Sequence, residues 1–346
     1  MSKKKRSVTL NELFGKYLST KPTLKRSTLV NYTYNYSHYI KNTLGGEKVA
    51  SLRYSDIKSF YSTLFQKGLS AGTISTVHTV LHPVLTLAVR DGLIRTNPAG
   101  GALADFKKAD REQRMIKHAL TIREQKLFIE FLRNDPGYGH WLPIMTFFLG
   151  TGCRIGEVIG LTWSDIDFES STISINHNTL YRTDGTGHMV LSITTPKTYT
   201  GTRIIPLFNT VREALILEKK HQRDRGIKNH QVIDGYTDFI FLNRFGNIYL
   251  PMDINRAIKR IVIAANSYEA ENAISEGRSP IVIRNFSAHN LRHTFCTRLC
   301  EVENNIKIVM SIMGHSDIKT TMNIYNELQQ EKERQVYRDL EGRIMI

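Results

Sequence analysis

The sequence predicts a mainly α protein with a small antiparallel β-sheet confined to the larger of two domains. Three observations carry this. Apolar residues recur at helical spacing through the first hundred positions. Strand-like alternation is limited to Ser171–Leu207, and from Val211 the pattern is helical again. At ~150 residues per domain, a 346-residue chain fits two. The expected boundaries are a basic tail at 1–7, an all-helical domain at 8–104 and a linker at 105–118. A mixed α+β domain follows at 119–328, then a C-terminal tail at 329–346.

In chain order, Thr9-Leu-Asn-Glu12 is a capping-box pattern that opens a helix carrying Leu13, Phe14, Tyr17 and Leu18. After Pro22, Ser27 or Thr28 is the expected cap of a second helix, ended by Gly45-Gly46. Asp56 to Phe65 predicts a third helix, stopped at Gly68. Ser70 to Val89 predicts a fourth, with Ile74, Val77, Leu81, Val84, Leu85 and Ala88 on one stripe. Asn97-Pro98-Ala-Gly-Gly101 breaks the pattern, and the charged stretch Lys107–Lys117 reads as an exposed linker. Thr121 to Leu132 is amphipathic, and Leu142 to Leu149 is apolar enough for a buried helix. Then come Thr172–Asn176, a Gly185/Gly187 turn, Met189–Ile193 and Arg203–Pro206, read as strands of one small sheet.

Hydrophobic residues at 41% and charged residues at 23% are ordinary globular values and argue against a disordered or fibrous chain. No uninterrupted apolar run reaches the ~18 residues of a membrane span, and Met1-Ser-Lys-Lys-Lys-Arg6 leads into no apolar signal core. Three cysteines, Cys153, Cys296 and Cys300, fit a reducing cytoplasm without a disulfide framework. The net charge of +15 points to a polyanionic partner. Its distribution is uneven: residues 1–100 hold 15 Lys and Arg against four acids, Glu12, Glu47, Asp56 and Asp91. A small basic unit suits counterion release from a phosphate backbone.

Four clusters carry chemistry. In Gly150-Thr-Gly-Cys-Arg-Ile-Gly-Glu157, Arg154 sits in a Gly-rich turn, offering a bidentate fork to a phosphate or carboxylate. Thr195-Pro-Lys197-Thr lies between two predicted strands, where a hairpin lysine can act as a mobile cation or proton donor. His289-Asn-Leu-Arg292-His293 spaces three basic side chains at i, i+3 and i+4, on one helix face. The His pair could bind a metal, but the H-E-x-x-H pattern needs Glu where Asn290 stands, so zinc is the weaker reading. Cys296 and Cys300 read as small core hydrophobes. Finally, Met313-Gly-His315 is followed ten residues later by Tyr325, a nucleophile candidate beside cationic groups.

The ordered series Arg154, Lys197, His289, Arg292, His315, Tyr325 resembles the tyrosine recombinase (phage integrase) family, including conjugative-transposon integrases, over roughly residues 8–330. Leu69-Ser-Ala-Gly-Thr-Ile74, Leu87–Ile94 and Asn97-Pro98 resemble its helical core-binding (SAM-like) domain. The resemblance implies a C-shaped clamp on DNA made by that domain and a mixed α+β catalytic domain. It implies site-specific cleavage and rejoining of strands through a covalent 3′-phosphotyrosine, integrating or excising a prophage or mobile element. Tyr325 would attack the phosphorus, Arg154 and Arg292 clamp its oxygens, and Lys197 protonate the leaving 5′-oxygen. His289 would take or share the tyrosine proton, and His315 bond a phosphate oxygen. Glu157 would brace the site from behind, and His293 would be a core or supporting residue. No metal and no cofactor are implied. ATP is not needed because bond energy is kept in the covalent link, which agrees with the lack of a G-x-x-x-x-G-K-[S/T] loop.

The implied partners are double-stranded DNA attachment sites, a homotetramer on two duplexes formed from monomers, and an excisionase and a DNA-bending protein. No membrane is implied, and the place of action is the bacterial cytoplasm. Lys25, Arg26 and Thr73 are the candidate DNA contacts on the N-terminal helices. Only about eight residues precede the first helix, so a further N-terminal arm-binding domain is not expected. A two-domain member and a shortened chain both fit. After Asn326 two readings stand: a helix packed on its own domain, or a tail docking on a neighbouring protomer. The competing functions are a non-catalytic DNA-binding regulator on the same fold and a type IB topoisomerase-like enzyme.

Overall fold

The computed structural model describes residues 7–106, 119–183, 188–195, 201–315 and 317–341. The chain divides into two compact units, residues 1–116 and 117–346.

The first unit is helical in its described residues: α1 (Leu10–Ser19), α2 (Arg26–Asn35), α3 (Tyr54–Gln66) and α4 (Ala71–Arg90). Thr9 and Glu12 form the reciprocal capping box at α1. The cap of α2 differs from the sequence expectation. The helix starts at Arg26 with Lys25 at the N-cap position, ahead of Ser27 and Thr28, and no side chain caps it. It runs into a π-helical turn, Tyr36–Ile40, that seats Tyr36 flat against Phe14 with ring centres 3.7 Å apart. Helix α4 is the centre of this core. Ser70 caps it, and Ile74, Val77, Val80, Leu81, Val84, Leu85 and Ala88 are fully buried. By length and composition α4 could cross a membrane. Its apolar stripe is instead occupied by the other helices of the unit.

The second unit begins its described part with α5 (Ile122–Asn134), capped by a Thr121/Glu124 box, then α6 (Leu142–Thr151) and the short α7 (Ile155–Gly160). Strands β1 (Ile166–Asp167), β2 (Thr172–Ile175), β3 (Asn178–Thr183), β4 (Met189–Thr194) and β5 (Arg203–Pro206) follow. The remaining helices are α8 (Asn209–Asp224), α9 (Pro251–Ser275), α10 (Ala288–Val302), α11 (Ile306–Met313) and α12 (Ile318–Glu341). The five strands make two antiparallel sheets where the sequence suggested one: β1-β2-β5, and the pair β3-β4. The reason is β3, whose Asn178, Thr179, Arg182 and Thr183 show no apolar alternation, yet which pairs with β4 along its whole length. The Gly185/Gly187 turn lies outside the described residues. The main core gathers α5, α6, α8 and α9 around Phe128, Phe147, Phe148 and Phe241. A smaller cluster, Cys296, Cys300, Val309, Met313 and Ile324, joins α10, α11 and α12.

Candidate active site

The site is organised by the C-terminal end of α11, where the last carbonyls of a helix have no partner in the helix and carry partial negative charge. Gly314 takes the left-handed conformation (φ 63°), and the N–H of His315 reaches back to the carbonyl of Met310 at 3.0 Å. Three guanidiniums fill the carbonyls left over. Arg203 Nε donates to Ile312 O (3.0 Å), Arg292 Nη2 to Met313 O (2.5 Å) and Arg154 Nη2 to Gly314 O (2.6 Å). Arginines from β5, α10 and the turn before α7 thus meet at three consecutive peptide groups.

Arg154 is placed by its own turn. Helix α6 ends on Gly152 at φ 62°, and any Cβ there would stand 2.4 Å from the ring of Phe295. The freed Gly152 carbonyl accepts from Arg292 Nη1 at 2.6 Å, so one glycine serves two arginines. Arg154 is the N-cap residue of α7. Its N–H bonds Oε2 of Glu157 at 2.8 Å, and its Nη1 bonds Oε1 at 2.7 Å. Its side chain is 40% exposed, whereas Arg292 is 3% exposed.

Glu157 is buried between two arginines: Arg203 bonds both its oxygens, at 2.9 and 3.2 Å. Burial alone would raise its carboxyl, but Arg203 and then Arg154 outweigh that and hold it below the usual range. Three guanidiniums against one carboxylate leave the cluster in positive excess. Burial, then the charge of Arg154, brings Arg292 down to about 10, so it keeps its charge at neutral pH. Cys153 is buried behind this group and accepts weakly from Arg203. Burial pushes its thiol up to about 11, fitting an inert packing role.

His315 follows the α11 turn. Burial first, then Arg292, Arg154, Arg203 and His289, lowers its pKa to about 3, so its ring is neutral. Nδ1 lies 3.0 Å from the hydroxyl of Thr321, a fully buried residue of α12. If that hydroxyl donates to Nδ1, the proton of the neutral ring sits on Nε2. His289 lies exposed in the first turn of α10, and Asn255 of α9 bonds the neighbouring Ala288 N–H at 3.0 Å. His293 is half-buried one turn further on. Among the described residues no group of three His, Cys, Asp or Glu could hold a metal ion. Cys296 and Cys300 are buried and free. Tyr325 is half-buried on α12, packed against the cluster of Cys296, Val309 and Met313.

Lys197 lies outside the described residues. The strands before and after it, β4 and β5, belong to different sheets and do not pair with each other, which replaces the expected two-strand hairpin there. Arg26 opens α2, with its side chain outside the described atoms. Lys25 is exposed at the N-terminus of α2, and Thr73 Oγ1 lies 3.0 Å from the capping Ser70 hydroxyl of α4. Two residues escaped sequence reasoning. Arg203 had half a signal: the period of two puts it on the face of Ile205, but Ile204 is equally apolar, and only the structure shows Ile205 buried (4%) and Ile204 exposed (73%). Thr321 had none, because a threonine near a helix start is commonplace.

A helical unit joined to a mixed unit that concentrates arginines near a tyrosine-bearing helix defines a class of fold with a site suited to an anion. Comparison with known proteins narrows this. Residues 118–332 match the family described as the phage integrase family, and residues 9–65 match its N-terminal SAM-like domain. The chain is 31% identical over 320 residues to the transposase from transposon Tn916 of Enterococcus faecalis, covering 92% of this chain and 74% of that protein. It is 28% identical to a XerC-like tyrosine recombinase of Caldanaerobacter subterraneus subsp. tengcongensis, covering 93% of this chain and 80% of the other. A structure of the Tn1549 transposon integrase in complex with transposon right end DNA superposes with a TM-score of 0.80 at 30% identity. It covers 94% of this chain and 99% of that one. A lambda integrase dimer bound to a core site shares the fold at TM-score 0.60 and 17% identity. The chain belongs to the phage integrase family, and it is a tyrosine-type site-specific recombinase.

Proposed function

We propose that this recombinase integrates or excises a mobile element by cutting and rejoining duplex DNA at attachment sites through Tyr325. The observation that carries the reading is the positive excess of Arg154, Arg203 and Arg292 over Glu157, fixed on one helix end beside His315. A phosphodiester diester entering there meets preorganised donors, which act most strongly on charge that develops during reaction. Arg292 is held by two carbonyls, leaving its Nε and remaining N–H bonds to aim; Arg154, being more exposed, is the more accessible fork.

In the first step the Tyr325 oxygen bonds the phosphorus as the bond to the 5′-oxygen breaks. His289 takes or shares the phenolic proton, and Lys197 protonates the leaving oxygen. A 5′-hydroxyl from the partner strand then reverses the step, releasing the tyrosine. His315, neutral and with its proton on Nε2, donates to a non-bridging oxygen, and Thr321 selects that tautomer. Glu157 acts through the arginines it holds, and His293 supports the helix behind them. Lys25, Arg26 and Thr73, on the N-terminal sides of α2 and α4, are the proposed backbone contacts of the first unit. Retention of all six catalytic positions argues against a binding-only regulator.

The C-terminal helix bears on assembly. Its first half packs on α10 and α11, but Val336, Tyr337 and Leu340 are 63%, 70% and 46% exposed, an apolar row at i, i+1 and i+4. We infer that this row docks on a neighbouring protomer within a tetramer on two duplexes. Truncation after Leu328 should leave DNA binding but abolish the higher assembly; unchanged assembly refutes the docking. For the chemistry, a nicked duplex carrying the attachment site should yield a covalent adduct that survives denaturant and EDTA. Tyr325→Phe should yield none, and an adduct with that variant would remove the nucleophile assignment.

A further inference from the structure

A cavity of about 990 Å³ opens in the larger unit among residues 137–144, the second half of α8 and residues 241–260, and it contains none of the proposed catalytic groups. Its floor is aromatic, with the rings of Trp141 and Tyr249 4.8 Å apart and Phe241 beside them. Glu218 lines it while only 7% exposed. That carboxyl receives a hydrogen bond from Gln222 (2.8 Å), whose amide nitrogen also donates to Ile240 O, and among the described residues it has no ion pair. Burial pushes it up to about 7 against the weaker pull of Gln222 and Arg225. Next to it, Nδ1 of His221 is buried with no hydrogen-bond partner. Around this interior stand Arg225, Arg244, Arg256, Lys259 and Arg260, and Asp253 is the only other acid of the lining.

Each part constrains the ligand. The floor rings of Trp141 and Tyr249, tilted 38° to one another, offer an aromatic face to a planar ring. A buried carboxyl with spare acceptor positions calls for N–H donors, since leaving it unmatched carries the full desolvation cost. The cationic rim calls for an anion. A lysine or arginine side chain would satisfy Glu218 but meet five like charges. A plain polyphosphate would use the rim and leave Glu218 unmatched. Guanine presents two adjacent donors, N1–H and the N2 amine, on one edge, with phosphate attached to the same molecule. Against the ionised carboxylate, which prevails above about pH 7, adenine presents an unprotonated N1 on that edge, lone pair against lone pair.

We propose that this cavity binds a guanine nucleotide, with the base edge on Glu218, the ring on the Trp141/Tyr249 floor and the phosphates on Arg225, Arg244 and Arg260. The purine could come from a free nucleotide or from an unstacked guanine in a strand, and the chemistry of recognition is the same.

The test uses the full chain without attachment-site DNA, so its outcome is independent of the recombination chemistry. At pH 8, where Glu218 is ionised, GTP should bind at least tenfold more tightly than ATP or inorganic triphosphate, measured by calorimetry. Glu218→Gln replaces acceptor pairs by one donor and one acceptor. It should weaken GTP at least tenfold and strengthen xanthosine triphosphate, whose O2 accepts where guanine's amine donates. That gain cannot come from a misfolded protein. Arg225→Ala with Arg260→Ala should weaken GTP but not guanosine. Short single-stranded oligonucleotides with and without one guanine identify the source: guanine-dependent binding sensitive to E218Q supports the site in either arm. Equal affinity for GTP, ATP and triphosphate, no binding in any arm, or an E218Q variant that loses GTP without gaining xanthosine triphosphate would each overturn it.

Discussion

The two units use positive charge in opposite ways. In the first, the excess is spread over side chains such as Lys25, Lys41 and Lys48 that stand in solvent, and its described ion pairs, Lys16–Asp91 and Lys58–Asp105, are themselves exposed. In the second, the decisive cations are few and mostly buried. Arg203 and Arg292 are 7% and 3% exposed and are tied to backbone carbonyls at fixed distances. Diffuse charge is screened within about 10 Å at 0.1 M salt, whereas a buried, hydrogen-bonded guanidinium is screened far less. The difference teaches that net charge reports affinity for a polyanion, while placement reports what is done to one phosphate.

The sharpest way to break this comparison is Arg292→Lys. It keeps the charge but loses the fork that joins Gly152 and Met313, and strand cleavage should fall by about 10²–10³. Retained cleavage in a nicked-substrate assay would mean that charge alone suffices. Next, Glu157→Ala leaves Arg203 buried without its carboxylate, with an expected loss of about 3–5 kcal/mol in denaturant unfolding. A loss under 1 kcal/mol would show that the three carbonyls of α11 hold the arginines unaided. A third outcome concerns pH. His315 has a folded pKa near 3 against 6.5 in the open chain, so the unfolded state binds the proton first. Stability of the DNA-free protein should therefore fall as pH drops from 6.5 toward 3. Glu157, held low, adds to the loss as pH falls below its ordinary 4.5. His315→Gln should flatten the upper part of that profile. The smallest effect belongs to the first unit: Lys25→Ala should weaken DNA binding modestly and reduce the salt slope by about one. A change confined to one DNA sequence would instead make Lys25 a base reader.

Much of this was legible in advance. The capping box at Thr9, the apolar stripe of α4 and the order of the basic clusters all rest on local spacing, which sequence displays directly. The second sheet was not, because β3 is half polar and is held by its partner strand. Nor was the pairing of Arg203 with Glu157 across 46 positions, or the Thr321 hydroxyl behind His315, since such contacts exist only once helices have packed. The candidate catalytic residues could be named from order along the chain. What positions them could not.

One feature of α11 bears on how such a site tolerates inherited change. The acceptors that receive Arg154, Arg203 and Arg292 are main-chain oxygens of residues 312–314. Every amino acid supplies that atom, so the side chains at Ile312 and Met313 are free to drift as far as packing allows without removing an acceptor. The constraint passes to Gly314, whose left-handed conformation ends α11 and lets the His315 N–H return to Met310 O. A saturation library over 311–314 should accept many apolar residues at 312 and 313 and almost nothing but glycine at 314.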